Sequence, residues 1–444
     1  MLRRRLFFFV LTIGTLLTAC TDDDTFSTNR ANVLSFSVDT LKMDTLFSTV
    51  PSAMYSFWVR NNSNDGIRIQ TARLERGGQS GFRVNVDGSY LDPVGTNFEV
   101  RKGDSLRVFV EVTTRENGID GPQLVEDNLL FTLESGVVQK VNLRTWSWDA
   151  EKIGSLRIQN DTTIETSRPI IVYDSIVVDS GAVLTLRNTV FYFHDSAHLT
   201  VRGLLKAKNC LMRGDRLDHM FSYLPYDRVK GQWSGIRLLK WSFGNEMESC
   251  EVRNAKDAIL CDSASLSMKN CIVHNCEGYG VKGRNADIVI DYCQISNCLS
   301  DCLMADGGIV TVNHTTLAQF YPFSANRGAA LRFNTGKRGI NFVCQNTLVT
   351  GYDADVVFSE QNDTTKAFMY EFSNCLLRTD SLHNPEILKD IIWETPKDSI
   401  EGKKHFKTID EEKLLYDFTI DSISPAFKRQ IGRYDSYGTP KTDE

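Results

Sequence analysis

The sequence predicts an all-β chain in two parts, a β-sandwich followed by a coiled β-solenoid, and two patterns carry that prediction. The first is a period. Cys250, Cys271 and Cys293 stand 21 and 22 residues apart, inside phrases that repeat with them: Ser249-Cys250-Glu251-Val252, Asn270-Cys271-Ile272-Val273 and Tyr292-Cys293-Gln294-Ile295. The row continues at Thr315, Thr347 and Cys375 and runs back to Cys210 and Thr189. A fixed period of roughly 20–25 residues in short β-rich pieces marks a solenoid, in which each coil buries its apolar side against the next. The second pattern is period-two alternation ahead of the coils. It appears in Tyr55-Ser56-Phe57-Trp58-Val59 and in Leu106-Arg107-Val108-Phe109-Val110-Glu111-Val112. Short alternating runs separated by Gly, Asn and Asp turns suggest a sandwich.

The chain has 444 residues, room for two or three domains of ~100–200 residues. Its charged and hydrophobic fractions, 24% and 41%, are ordinary for a folded protein. The net charge is −6, and no basic stretch lies outside the N-terminus, so nucleic acid is not expected as a partner.

The elements divide as follows. At the N-terminus, Arg3-Arg4-Arg5 precedes an apolar run over residues 6–17, shorter than the ~20 residues a bilayer span needs. The run ends in Leu17-Thr18-Ala19-Cys20. Residues 1–19 therefore read as a signal peptide and 20–31 as a tether. Residues 32–148 form the sandwich, with a turn at Asn61-Asn62-Ser63-Asn64-Asp65-Gly66 and a closing hairpin across Ser135-Gly136. Residues 149–380 form the solenoid. Ala258-Ile259-Leu260-Cys261, Gly280-Val281-Lys282-Gly283 and Cys302-Leu303-Met304-Ala305 recur at 22. Coils stack ~4.8 Å apart, so roughly ten of them make a rod of about 45–50 Å. Residues 381–444 are the cap and tail, needed because a bare last coil offers open strand edges.

Two further rows follow from the alignment. Ten cysteines lie between Cys210 and Cys375, most of them at the repeat period, so they read as core packing rather than as disulfides or a metal site. Asn254, Asn275 and Asn297, then Gln319 and Gly351, fall four residues after each ladder position. They read as a corner row in which asparagines bond along the rod. The period breaks once, between Cys210 and Cys250, where an aromatic insertion carries Phe221, Tyr223, Tyr226 and Trp233.

Several strings resemble known families. Leu17-Thr18-Ala19-Cys20 resembles a bacterial lipobox, which implies lipidation of Cys20 and a bilayer as partner. Thr21-Asp22-Asp23-Asp24 resembles the acidic export tag of surface lipoproteins in Bacteroides-type bacteria, which implies an outer-membrane, cell-surface location. The 62–69 turn, the 102–112 strand and the closing hairpin resemble hydin-related Ig-like domains. Gly181-Ala182-Val183-Leu184-Thr185-Leu186 and the coil after it resemble the first turns of right-handed parallel β-helices of the pectate-lyase-like kind. With the 213–236 string and Tyr416-Asp417-Phe418-Thr419-Ile420-Asp421-Ser422-Ile423-Ser424-Pro425-Ala426, the resemblance extends to an uncharacterised family of β-helix surface lipoproteins. That family implies a fold and a location and carries no catalytic residues.

The outward rows hold the candidate chemistry. One runs Arg237, Leu260, Lys282, Met304, Arg332 and the next Leu239, Asp262, Arg284, Asp306, Asn334. A uronate lyase needs a cation to neutralise the carboxylate and a base, roles open to Lys282, Arg284 and Arg332. Asp262 and Asp306 would then hold Ca²⁺, the one cofactor considered, or serve as paired carboxylates of a hydrolase. Against this stands a solvated face whose alternating charges pair with each other, and the non-catalytic reading is favoured. Trp233 and Arg237 are the candidate ligand-binding residues for a polysaccharide, with Trp233 read in preference as a packing residue that pins the insertion onto the rod. His274 and His314 have no Ser or Cys partner at readable spacing, and no Gly-rich phosphate loop is present.

Overall fold

The computed structural model describes residues 25–382 and 384–433, and these divide into two compact units, to Trp148 and from Asp149. The expected signal peptide, the Cys20 lipidation and the Thr21-Asp22-Asp23-Asp24 tag lie outside the described residues.

The first unit is built from eleven strands: β1 (Leu34–Phe36), β2 (Thr40–Lys42), β3 (Leu46–Phe47), β4 (Tyr55–Asn61), β5 (Ile67–Leu74), β6 (Phe82–Val86), β7 (Ser89–Tyr90), β8 (Val94–Val100), β9 (Ser105–Val112), β10 (Gln123–Leu133) and β11 (Val138–Trp148). They form two sheets, β1-β4-β9-β6-β7 and β2-β11-β10-β5-β8, with β3 also paired to β11. Alternation explains why the sheets share one core. Leu106, Val108, Val110 and Val112 of β9 point inward while Arg107 points to solvent. Opposite them lie Ile67, Ile69, Leu129, Phe131, Val141 and Leu143. The 61–66 turn is fixed by buried Asn61, whose Nδ2 donates to the Val100 carbonyl at 2.9 Å and whose Oδ1 accepts from the Ser63 amide. The expected tether is partly bound: the Ser27 amide donates to the Gly66 carbonyl, and Arg68 lies 4.5 Å over the Phe26 ring.

The second unit is a stack of parallel coils with three faces. Face 1 stacks residues 155–158, 175–178, His198–Val201, Ile236–Leu238, Ile259–Asp262, 281–284, 303–306, Leu331–Asn334 and Val357–Glu360. Face 2 runs from Thr162–Glu165 through Val183–Arg187, Leu204–Lys208 and Ser265–Lys269 to Phe368–Ser373 and Leu388–Lys389. Face 3 runs from Val190–Phe193 through Leu211–Gly214, Ile272–Cys276 and Thr316–Gln319 to Leu376–Arg378 and Ile392–Glu394. Parallel pairing thus continues to Glu394, beyond the boundary expected at 380.

The corner between faces 2 and 3 explains the repeated phrase. Thr189, Cys210, Cys250, Cys271, Cys293, Thr315, Thr347 and Cys375 are all buried there. Each thiol or hydroxyl donates to the carbonyl two residues earlier, Cys271 to Lys269 at 3.3 Å and Thr315 to Asn313 at 2.8 Å. Cysteine and threonine alternate freely because both are small and both offer that donor. The ten described cysteines are free thiols. Burial pushes the Cys271 and Cys344 thiols well above the ordinary range and Cys261 up to about 12.

The residue before each ladder position turns the corner with a left-handed backbone: Asn188, Asn209, Ser249, Asn270, Tyr292, His314, Asn346 and Asn374 all have φ between 41° and 53°. This row, not the expected one, bonds along the rod. Asn209 Nδ2 donates to Asn188 Oδ1 at 3.1 Å, and Asn374 Nδ2 to Asn346 Oδ1 at 2.8 Å. Asn254, Asn275 and Asn297 are also left-handed and buried, but the Nδ2 groups of Asn254 and Asn275 donate instead to the carbonyl of Asp227 in the insertion.

Face 3 is covered from outside. A hairpin (Phe406–Asp410 with Leu415–Ile420) and a short helix (Pro425–Lys428) pack Phe406, Phe418, Ile420, Ala426 and Ile431 against Ala318, Leu348 and Leu376. The expected terminal cap is therefore a lateral cover, because both sides of the face 3 strands are apolar here.

Candidate functional site

With face 3 covered over these coils, the exposed rows of face 1 hold the candidate chemistry. The register aligns the predicted rows: Arg237, Leu260, Lys282, Met304 and Arg332 pair in turn, as do Asp262, Arg284, Asp306 and Asn334. Coil stacking brings Lys282, Arg284, Arg332, Asp262 and Asp306 onto one surface, and each named cation there has a protein partner. Lys282 Nζ lies 3.8 Å over the Tyr279 ring. Arg284 reaches Asp262 at 3.8 Å, both half exposed. Arg332 holds buried Asp301 through Nε at 2.9 Å and Nη2 at 3.3 Å, and stacks on Phe358. Asp262 and Asp306 are two coils apart, roughly 9–10 Å by coil spacing, with Arg284 in the row between them.

The two candidate ligand residues separate. Trp233 is fully buried, parallel to Phe193 at 4.2 Å, with Nε1 donating to the Arg253 carbonyl at 2.8 Å. It cannot meet a ligand, so the sugar-stacking role is corrected and the packing role preferred for it stands. Arg237 is exposed and lines a groove of about 530 Å³ on face 1. The groove spans the first four coils, with Arg157, Thr200 and Arg237 on one row, Ser155, Ser175 and His198 beside it, and Arg202 and Leu239 beyond. Arg157 Nε holds Asp179 at 2.7 Å, and this bond keeps the Asp179 carboxyl below its ordinary range. Asp174 accepts from Ser155 and Ser175 on the same rim.

One residue was missed from sequence. Trp241, two positions beyond groove-lining Leu239, is 70% exposed, edge-on to Phe243, with Lys240 Nζ 4.7 Å from its ring. The signal was in the spacing. The coils on either side turn from face 1 to face 2 through two residues, 202–203 and 263–264, whereas here Leu239-Lys240-Trp241-Ser242-Phe243-Gly244 forms a longer bulge.

The histidines hold structural positions. His274 is buried, with Nε2 3.5 Å from Glu251, and His314 stacks on Tyr292 and bonds the Gln430 carbonyl. A Ser-His-Glu arrangement does exist at His405, with Nδ1 2.8 Å from Ser424 Oγ and Nε2 3.3 Å from Glu394. All three residues are buried, and Ser424 Oγ already accepts from the Ala426 amide as a helix cap. Burial pushes the Glu394 carboxyl up, but His405, Gly402 and Arg378 together hold it below the ordinary range. This cluster fastens the lateral cover and offers no open nucleophile. Among the described residues, no group of three or more His, Cys, Asp or Glu side chains is placed to hold a metal ion.

Comparison with curated proteins gives no match. Three solved structures share distant likeness. A family 123 glycoside hydrolase from Clostridium perfringens is 7% identical, covering 28% of this chain and 30% of its own length, with a TM-score of 0.19. The ASH/PapD-like domain 7 of human CEP192 is 11% identical over 28% of this chain and 92% of that domain, at 0.20. The catalytic unit of a GH87 α-1,3-glucanase from Streptomyces thermodiastaticus is 10% identical over 76% of this chain and 89% of that one, at 0.19. Likeness this weak carries no argument about activity. A family model described as "right handed beta helix region" matches residues 155–318 and 226–356. Together with the parallel register of the three faces, this match identifies the coils as a right-handed parallel β-helix.

Proposed function

We propose that this protein is a surface-displayed lipoprotein whose β-helix binds glycan without cleaving it. Cys20 is its lipid anchor in the outer membrane, and the two-sheet unit is an Ig-like spacer. The observation that carries the binding reading is the open groove on face 1, lined by Ser175, His198, Thr200 and Arg237 and followed in sequence by exposed Trp241. Hydroxyls, guanidinium groups and an exposed indole are the groups that meet a saccharide's hydroxyls and the apolar side of its ring. The pairing of Lys282, Arg284 and Arg332 favours a non-catalytic face, because a lyase needs a cation free to meet its substrate's carboxylate.

Affinity electrophoresis of the full chain through gels carrying plant and host polysaccharides tests the binding. Retardation by at least one polymer is expected, with no unsaturated product and no new reducing ends, with or without Ca²⁺. Product formation lost in Lys282→Ala or Arg332→Ala would replace this reading with the lyase. Fatty-acid labelling that persists in Cys20→Ala would remove the anchor.

A further inference from the structure

We infer that the face 1 groove takes an anionic saccharide, one bearing carboxylate or sulfate groups, held by Arg202 and Arg237. The inference rests on the glycan-binding reading above and adds the class of ligand.

The argument starts from charge within the groove. Three arginines line it, Arg157, Arg202 and Arg237. Of the carboxylates near them, Asp179 pairs with Arg157, Asp174 accepts from the serine hydroxyls, and Asp262, one coil beyond Arg237, pairs with Arg284. Among the described residues neither Arg202 nor Arg237 forms an ion pair, and both are exposed. Neither guanidinium has a close protein partner like those of Lys282, Arg284 and Arg332 farther along the same face, although Arg202 helps Arg157 to hold the Asp179 carboxyl low.

Position makes the pair a receptor rather than two loose charges. Arg237 pairs in register with Thr200, and Arg202 lies two residues beyond Thr200 on the neighbouring coil. One coil along the rod and two residues along the strand separate their backbones by about 8 Å. Two guanidinium groups rooted at that spacing reach one carboxylate or sulfate between them, and Arg presents the planar fork that binds such oxyanions. Thr200 and His198 offer donors beside them, and Trp241 offers a ring face.

The test is affinity electrophoresis of the full chain in polygalacturonate, chondroitin sulfate, neutral xyloglucan, neutral mannan and inorganic polyphosphate. Retardation is expected in one or both acidic polysaccharides, weakened by added salt, and absent in the neutral ones. The double variant Arg202→Gln/Arg237→Gln is expected to weaken it at least about tenfold, as loss of charge-assisted hydrogen bonds would. Lys206→Gln, an exposed change on face 2, is expected to leave it intact. Retardation by neutral polymers alone overturns the anionic assignment and leaves the broader glycan reading standing. Equal retardation by polyphosphate reduces the groove to a general polyanion site and overturns the inference. Acidic binding that survives the double variant overturns the site, and no retardation by any polysaccharide overturns both readings.

Discussion

The corner row shows how little each coil asks of a single residue: a small side chain with one donor for the carbonyl two positions back. Cys271→Thr should therefore stay within about 1 kcal/mol of the native stability, whereas Cys271→Leu should cost about 1–3 kcal/mol by overpacking. Thermal melts of the two variants check this. The buried, raised thiols should be silent to thiol reagents in the native chain and titrate only after unfolding. The tryptophans divide the same way. Trp233→Ala should lower stability by about 3–5 kcal/mol, and Trp241→Ala should leave the melt unchanged while weakening glycan retardation. The cysteine row was legible in the sequence because the period exposes it. Trp233 was legible as a packing residue of the insertion, but Trp241 was not, since it sits where the period lapses and only packing says which side chain turns outward. The asparagine corner was misplaced for a related reason: two rows of asparagine recur per coil, and spacing alone does not say which bonds to its own kind.

At the scale of elements, the insertion after Gly214 is pinned to face 3 by Asp227. Its carboxylate meets Arg213 at 3.0 Å, Arg228 at 3.3 Å and Arg253 at 3.4 Å. Gly214 makes the approach possible, since an added Cβ would stand 2.2 Å from Gln232 Oε1. Burial pushes the Asp227 and Glu251 carboxyls up, but the arginines and His274 override it, leaving both low and Glu251 at about 2. Because the folded values are depressed, their stabilisation is complete above the unfolded carboxylate range near ~4 and is lost as pH falls toward 2. Amide exchange across 215–232 should accelerate in that window ahead of the coil strands. Asp227→Asn should bring the same acceleration at neutral pH, since it leaves buried Arg213 without its counter-charge. The length of the interruption announced this element, but its resting place did not follow, because the arginines that receive it come from coils on both sides.

At the scale of the molecule, the second unit departs from a simple repeat. Stacked coils contact their neighbours only, and repeat proteins of that kind fray from their ends. Here residues 406–433 return along face 3: the Gly432 amide donates to the Asn346 carbonyl, and Arg433 Nη2 to Asn270 Oδ1. The coils of Asn270 and Asn346, 76 residues apart in sequence, are thereby tied together. A chain ending at residue 400 should lose the single sharp melt expected of the full chain and bind apolar dyes, both readable in one calorimetry and fluorescence series. Periodicity revealed the coils because each is local. The lateral cover carries no period, so its tail motif suggested an end plug instead.

The lateral cover also sets an order of events. Ala318, Leu348 and Leu376 lie on strands completed long before Phe406, Phe418 and Ile431 are available. A chain emerging from its N-terminus carries an uncovered apolar stripe until residues 406–431 arrive. Escorts that guard emerging chains would find their longest task here, on a half-finished rod waiting for its final stitch.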